Sequence, residues 1–346
     1  MKIAADRRGR LWLLALGGLA GLGLIWTGLW FFAAQRLSNH LLLSRADGAT
    51  LARLCGDKQI GGFPFRLRLR CAGFAAPLHV ANGQIIAKAD EANGEASVFA
   101  PNHIVLSLTS PLTFVRANGS SFARMEYDHL SVDLHWSGRQ LIDTFATARG
   151  VNWTPEAPAA LVPFKLQSLE VQLKPVESEA GLALRFDMLG EGLQLPVLNA
   201  ILRADTPGQL KASGDIRPFP ASESEITQGW RVTAENWREK QGTINFETIE
   251  FVDGPLQLHV SGPLSLDEAH RLAGRLNIQA SGAGPVMARL GLPAQIGQVQ
   301  GILGALFGAP PKTNSGSDTL ALTVTLAQGR ISLGPLRLPW ALTPLY

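Results

Sequence analysis

Residues 61–71 read GGFPFRLRLRC. The last seven alternate between apolar side chains and arginine: Phe65, Arg66, Leu67, Arg68, Leu69, Arg70 and Cys71. A period of two residues is typical of a β-strand with one buried face and one wet face. The stretch therefore predicts a strand that turns its leucines inward and its arginines outward.

Similar alternation recurs along the rest of the chain, separated by Gly, Asn, Asp and Pro. It is found at 104–108, 129–136, 166–173, 182–188, 256–260, 274–280 and 320–326. Hairpin signals stand at Asn82-Gly83, Asn93-Gly94, Asn118-Gly119, Asp253-Gly254-Pro255 and Gln328-Gly329. Short helices are expected within 137–146, 193–204 and 285–307. The pattern predicts a mainly β fold, a long, strongly curved antiparallel sheet with a few short helices on or in it.

Residues 11–34 contain no charged side chain, and about 20 apolar residues suffice to span a bilayer as a helix. The preceding ten residues carry Lys2, Arg7, Arg8 and Arg10 against Asp6 alone. By the positive-inside rule this predicts a cytoplasmic tail (1–10), a transmembrane helix (11–34), a helical linker (35–60) and a β-rich periplasmic domain (61–346). A cleaved signal peptide is the alternative, although its apolar region would normally be 7–15 residues long.

The charge balance argues against nucleic acid as a partner. The whole chain has a net charge of +3, with 31 basic and 28 acidic residues. Residues 1–34 hold four of the basic residues and one of the acidic ones, so the remainder has 27 of each. A nucleic-acid-binding protein requires a basic field on its binding face. The basic excess is explained by membrane topology instead.

The two cysteines, Cys55 and Cys71, both fall in the part predicted to be periplasmic. On the oxidising side of a membrane, two cysteines at this separation predict a disulfide. The alternative is a pair of buried free thiols.

No sequence signature of an enzyme or a metal site is present. The chain lacks a G-x-S-x-G nucleophile elbow, a phosphate-binding P-loop and an H-E-x-x-H zinc motif. His129 and His135 lie ~20 Å apart along a strand, too far to share a metal, whereas Asp133 could pair with His135. We therefore expect no catalytic residue, no metal and no cofactor.

The arginine row admits two interpretations. Arg66, Arg68 and Arg70 could contact lipid phosphates or other anions. Alternatively, they form the wet face of a strand and pair with acids on the neighbouring strand. Phe63 and Phe65 are expected to pack in the core, and Pro64 indicates a strand beginning or an edge.

The stretch Gly62-Phe63-Pro64-Phe65-Arg66 resembles a motif of the membrane-anchored bacterial envelope proteins classed as domain of unknown function 2125. Pro101-Asn102-His103 and the closing GRISLGPLRLPWALTPLY (329–346) are also similar to that family. The closing phrase further resembles AsmA-type envelope proteins, which pair an inner-membrane anchor with a curved β-sheet and are linked to phospholipid transport. The first family has no catalytic residues to carry over, and the second likeness is at the level of the fold alone.

Together these observations predict a non-enzymatic protein of the bacterial inner membrane. Its expected role is to bind or transfer a phospholipid or another acyl-chain ligand, or to support assembly of the cell envelope. The alternative is a scaffold that binds other envelope proteins through its sheet edges. A hydrolase ranks third. Whether the apolar strand faces close into a core or open into a groove decides between the first two.

Overall fold

The structure is a computed structural model of the full chain. It describes residues 21–32, 35, 54–80, 83–137, 140–156, 162–178, 181–203, 206–219, 230–289, 320–334 and 336–345. The predicted cytoplasmic tail, most of the linker and the Asn82 turn lie outside these residues. So does most of the predicted helix at 285–307.

In the described part of the chain, seventeen strands form a single sheet, which confirms the mainly antiparallel β fold. They are β1 (Asp57–Gly61), β2 (Arg66–Val80), β3 (Gly83–Ser97), β4 (Ala100–Leu108), β5 (Leu112–Arg116), β6 (Ser121–Glu126), β7 (His129–Ser137), β8 (Gln140–Pro155), β9 (Phe164–Ser178), β10 (Gly181–Leu193), β11 (Gly208–Arg217), β12 (Thr243–Asp253), β13 (Leu256–Leu266), β14 (Leu272–Ser281), β15 (Leu320–Ala327), β16 (Arg330–Leu333) and β17 (Leu336–Ala341).

The sheet is a meander in which consecutive strands pair antiparallel, with one fork. β4 and β5 both pair with β3, on its second and first halves respectively. β7 pairs with β4 and β6 with β5, and both then pair with β8. In effect, residues 100–116 and 121–137 are two long strands, each interrupted once.

The interruptions belong to a line of irregular positions that crosses the sheet, which we call the crease. Gly73 in β2 and Gly150 in β8 both have positive φ, near +65°. Between them lie the β4–β5 break at Ser110 and the β6–β7 break at Asp128, whose backbone N–H donates to the carbonyl of Arg149. Side-chain alternation shifts at the crease. In β8 both Ala148 and Val151, three positions apart, are buried.

The buried core cluster lies at and beyond the crease. It consists of Ala87, Ala89, Leu112, Tyr127, Ala148, Val151 and Leu166. Alanines allow neighbouring strands and their larger side chains to approach closely, so this part of the sheet is well packed.

Four helices accompany the sheet in the described parts of the chain: α1 (residues 21–32), α2 (Pro196–Leu202), α3 (Trp230–Glu239) and α4 (Gly284–Arg289). The helix predicted within 193–204 is confirmed as α2. The helix predicted at 137–146 is wrong, because β8 begins at Gln140 and its partners β7 and β9 override the local signal. Asn93-Gly94 is not a turn but the middle of β3, and β1 occupies the end of the predicted helical linker.

Within the described part of the chain, no helix is long and apolar enough to cross a membrane. α1 covers the second half of the predicted span, and residues 11–20 are outside the described ranges.

Candidate functional site

One line of cross-strand partners runs through twelve strands without a single polar side chain. We call it the apolar row: Leu69, Gly94, Leu106, Val132, Ala146, Val171, Met188, Ala212, Ile249, Val260, Ile278 and Leu322. At ~4.8 Å between strands, the row extends ~50 Å along the sheet.

The next rows on the same side of the sheet are apolar as well. On one flank lie Leu67, Ala96, Ile104, Leu134, Thr144, Leu173, Phe186, Gly214 and Phe246. On the other lie Leu130, Ala148, Leu169, Gly190, Leu210, Phe251, Leu258, Ala280 and Leu320. Thr144 is the single polar side chain among them. These three rows form the apolar face.

The apolar row is not a closed core. Of its twelve residues only Ala212 is buried, and the others are half-buried or exposed. Leu106, in the middle of a strand with partners on both sides, remains 41% exposed. Contiguous apolar surface of this extent is uncommon on soluble monomers and marks an interaction site or a ligand groove.

The opposite side of the sheet is mainly polar, with Leu189 and Ala321 as the apolar positions of the row next to the apolar one. The positions directly adjacent to the apolar row are Arg70, Asn93, Ser107, Ser131, Thr147, Glu170, Leu189, Lys211, Glu250, His259, Gln279 and Ala321. We call these the polar row. The sheet is thus amphipathic across nearly its whole width, and the described residues cover its apolar side only in part.

The three arginines of β2 lie on the polar side and pair with acids of β3. Arg68 contacts Glu95 at 2.7 Å, Arg66 contacts the same carboxylate, and Arg70 contacts Glu91. The hydrogen bond from Arg68 lowers the pKa of Glu95, and that from Arg70 lowers the pKa of Glu91. The cross-strand pairing considered from the sequence is therefore present, while the guanidinium side chains stay 52–63% exposed.

The motif Gly62-Phe63-Pro64-Phe65-Arg66 forms the turn between β1 and β2. The N–H of Arg66 donates to the carbonyl of Gly62 at 3.0 Å and closes it. Gly62 has a φ of +96°, and a Cβ there would lie 2.7 Å from the Arg66 carbonyl oxygen, so glycine is required at this position.

The motif turn is joined to helix α1 by two indole hydrogen bonds. Trp26 Nε1 donates to the carbonyl of Pro64 at 2.9 Å, and Trp30 Nε1 donates to the carbonyl of Arg66 at 3.0 Å. The two tryptophans are four residues apart and so lie on one face of the helix. The motif therefore holds the end of α1 against the start of β2.

Phe63 and Phe65 are not core residues, contrary to the expectation from the strand pattern. They are 50% and 55% exposed and lie in the turn before β2 begins. Their rings contact Trp30 and Trp26 at centroid distances of 5.5 and 6.3 Å. The alternation that predicted burial starts one residue later, at Arg66, so it did not apply to them.

The cysteines form the predicted disulfide between Cys55 and Cys71, with a Cα–Cα distance of 5.3 Å. Both are buried. The bridge ties the segment that precedes β1 to the middle of β2.

The histidines pair differently from the prediction. Asp133 contacts His103, not His135, at 3.1 Å, whereas His135 contacts Asp143 at 2.9 Å. The His103 and His135 rings stack with centroids 4.2 Å apart. No group of three or more potential ligands arranged to hold a metal ion is found among the described residues.

Sequence reasoning located the strands but missed the two features that organise the surface. The apolar row depends on the register of eleven strand pairs, which the sequence does not contain locally. The Trp26 and Trp30 contacts join residues 36 to 38 positions apart. The sequence shows only two tryptophans near the end of an apolar run, a position typical of a membrane interface, and nothing in it identifies their partner.

Comparison with known proteins shows a match to a family model. The model of a family described as "Uncharacterized protein conserved in bacteria (DUF2125)" matches residues 30–339. This range covers most of the chain and includes the motif turn and all seventeen strands except the last residues of β17. No curated protein and no protein of solved structure matches the chain.

Proposed function

The chain belongs to the DUF2125 family of bacterial proteins, and from that premise we propose that it binds the acyl chains of a phospholipid on its apolar face, without being an enzyme. In this proposal residues 11–34 anchor it in the inner membrane with the N-terminus in the cytoplasm. The sheet then lies in the periplasm, where a Cys55–Cys71 bridge is chemically favoured.

The observation that carries the proposal is the half-exposed apolar row. Eleven of its residues keep part of their surface in contact with solvent although each lies in a strand of the sheet interior. Covering such surface with an acyl chain is favourable by ~0.8 kcal/mol per buried methylene group. A ligand with long hydrocarbon tails therefore gains more from this surface than a polar ligand would.

The position of the row favours a lipid drawn from the membrane. Leu69, at the β2 end of the row, is three residues from Arg66, whose carbonyl accepts the hydrogen bond from Trp30 of α1. The groove would thus begin beside the anchor and lead away from it. In the proposed mechanism the sheet curves around the tails, which shields them from water along the row.

The arginines suit the head group of the same ligand. Arg66 and Arg68 share a single carboxylate, Glu95, so among the described residues this corner of the polar side has one more positive charge than negative. We propose that Arg66 and Arg68, with Arg70 next to them, contact the lipid phosphate at the end of β2 nearest the motif turn, while the tails lie on the apolar face.

Native mass spectrometry of the detergent-purified full chain tests the proposal. Wild-type protein should retain phospholipid. Ile278→Glu places a carboxylate in the apolar row and should abolish or sharply reduce retention, because burying an unpaired charge against acyl chains is costly. Gln279→Glu, on the polar side of the same strand, is the matched control and should retain lipid as the wild type does. Lipid-free wild-type protein, or equal retention in both variants, would overturn the proposal.

The second candidate function is a scaffold for other envelope proteins. The observation that favours it is the state of the sheet edges, since β1 pairs with β2 alone and β17 with β16 alone among the described strands. Exposed edges are templates for strand addition. Affinity purification that recovers stoichiometric protein and no lipid would favour this function over the first.

A further inference from the structure

We propose that the aromatic side chains around the motif turn insert into the outer interface of the bilayer and seat this end of the sheet on the membrane. The surface, which we call the aromatic collar, consists of Trp26, Trp30, Phe31, Phe63, Phe65 and Phe99. The inference deepens the proposed function and rests on it, because it states where the groove opens and which lipid surface it meets.

The collar is built from two aromatic triads. In one, the Trp26, Phe65 and Phe99 rings lie 5.8–6.3 Å apart by centroid. In the other, Trp30, Phe31 and Phe63 lie 5.1–6.3 Å apart. Each triad contains a tryptophan of α1 and at least one phenylalanine of the motif turn. Phe99 comes from the β3–β4 turn, which borders the motif turn because Val98 N donates to the carbonyl of Phe65.

The collar is exposed although it is strongly apolar. Phe99 is 73% exposed, Phe31 59%, Phe65 55% and Phe63 50%. Four large aromatic side chains exposed side by side, when each would gain by burial, indicate a surface that is covered in the working protein.

The chemistry of the collar suits a bilayer interface better than bulk lipid or a polar partner. The indole N–H groups of Trp26 and Trp30 are already bonded to backbone carbonyls, so the tryptophans bring no unpaired donor into an apolar environment. Aromatic rings concentrate at the level of the head groups in membrane proteins. Arg66, at the end of the motif turn, is placed to reach phosphates beside them.

Chain continuity argues for the bilayer and against a second copy as the occupant. Helix α1, which carries the collar tryptophans, follows directly on residues 11–20, and the combined stretch 11–32 has no charged side chain. Exposed apolar residues also cover the rest of α1, including Leu22, Leu24 and Leu29. A membrane that accepts this helix would have its surface at the collar.

Site-specific photo-cross-linking in proteoliposomes tests the inference. The full chain carrying photoreactive benzoylphenylalanine in place of Phe99, and separately of Phe65, is reconstituted into phosphatidylethanolamine–phosphatidylglycerol vesicles and irradiated. Lipid adducts are expected at both positions. The same substitution at Phe122, at the opposite end of the sheet, is the control and should give no lipid adduct above background.

The outcomes separate this inference from the function on which it rests. The wild-type protein could retain phospholipid in native mass spectrometry while positions 65 and 99 give no lipid adducts. That result would overturn the insertion of the collar into the bilayer and would not affect the proposed function. Cross-linking of the collar to a second copy of the chain or to another protein would also overturn it. Lipid adducts at the collar, together with purified protein that carries no lipid, would support membrane contact by the collar and contradict the proposed lipid-binding function.

Discussion

Leu106 and Leu112 lie on either side of the crease, in strands that pair with the same partner β3, yet their surroundings are opposite. Leu112 is 7% exposed and belongs to the buried core cluster. Leu106 is 41% exposed and belongs to the apolar row. Both follow the same alternating pattern. The comparison shows that in this sheet the pattern fixes which side a residue occupies, but not whether that side is covered.

The difference has a local cause. Around the crease, alanines leave space in which larger side chains such as Leu112 pack against one another. Ala148 and Val151, from the two halves of β8, belong to the same cluster. Further along the strands, side chains of the apolar row contact side chains on the adjacent strands of the sheet. They nevertheless keep part of their surface exposed to solvent. We therefore expect the buried side chains of the core cluster to contribute more to stability than the half-exposed side chains of the apolar row.

The largest expected effect on stability is the loss caused by truncating Leu112, which we compare with the truncation of Leu106. Leu112→Ala should lower the free energy of unfolding by about 2–5 kcal/mol, because a fully buried side chain leaves a cavity. Leu106→Ala should cost about 1 kcal/mol or less, because much of that side chain is already in water. Urea denaturation of the two variants measures the difference. Similar losses for both would mean that the apolar row is covered in solution.

The crease itself is tested by glycine substitution. Gly150→Ala should destabilise the protein by more than the ~1–2 kcal/mol of a left-handed backbone conformation, because its Cβ would collide with the Asp128 carboxylate. Gly119→Ala is the matched control, since Gly119 also has positive φ but nothing lies within 4 Å of the place that a Cβ would occupy there. Equal melting temperatures for the two variants would show that the close approach at Gly150 does not matter.

A small effect is expected from the arginine–glutamate pairs. The pKa of Glu95 is lowered in the folded protein, so the pair stabilises it at neutral pH and the contribution is lost as pH falls from ~4.3 through the lowered value. Glu95→Gln should therefore reduce the loss of stability between pH 5 and pH 3, by no more than about 1 kcal/mol because the pair is surface-exposed. Glu170→Gln, on the same polar side, is the control. If the free energy of unfolding of Glu95→Gln falls between pH 5 and pH 3 as much as that of the wild type, the result would contradict the pairing.

Much of the architecture followed from the sequence, because alternation and turn signals are local. β7 was predicted within one residue of its observed bounds, whereas β2 and β9 extend beyond the predicted stretches, β2 by nine residues. The errors arose where tertiary context prevailed over local signal. Gly94 looked like a turn residue, but it is a strand residue whose missing side chain makes room for Leu106, which would lie 3.3 Å from a Cβ there.

The site was less predictable than the fold. Val171 and Ile278 are ordinary strand residues until five pairings place them in one row. The sequence of the motif turn was noted for its similarity to the DUF2125 family. Nothing in that sequence predicted the contacts of the turn with Trp26 and Trp30. The apolar row depends on the register of distant strands, and the contacts of the motif turn depend on how α1 packs against it. A short window of sequence predicts neither.

The most direct test of the central claim compares two adjacent positions of β4 in living cells. Benzoylphenylalanine replaces Leu106, in the apolar row, or Val105, which faces the opposite side. Irradiation of cells that produce the full chain should yield a phospholipid adduct at position 106 and none at position 105. Equal labelling of the two positions, or protein adducts alone at position 106, would contradict the account.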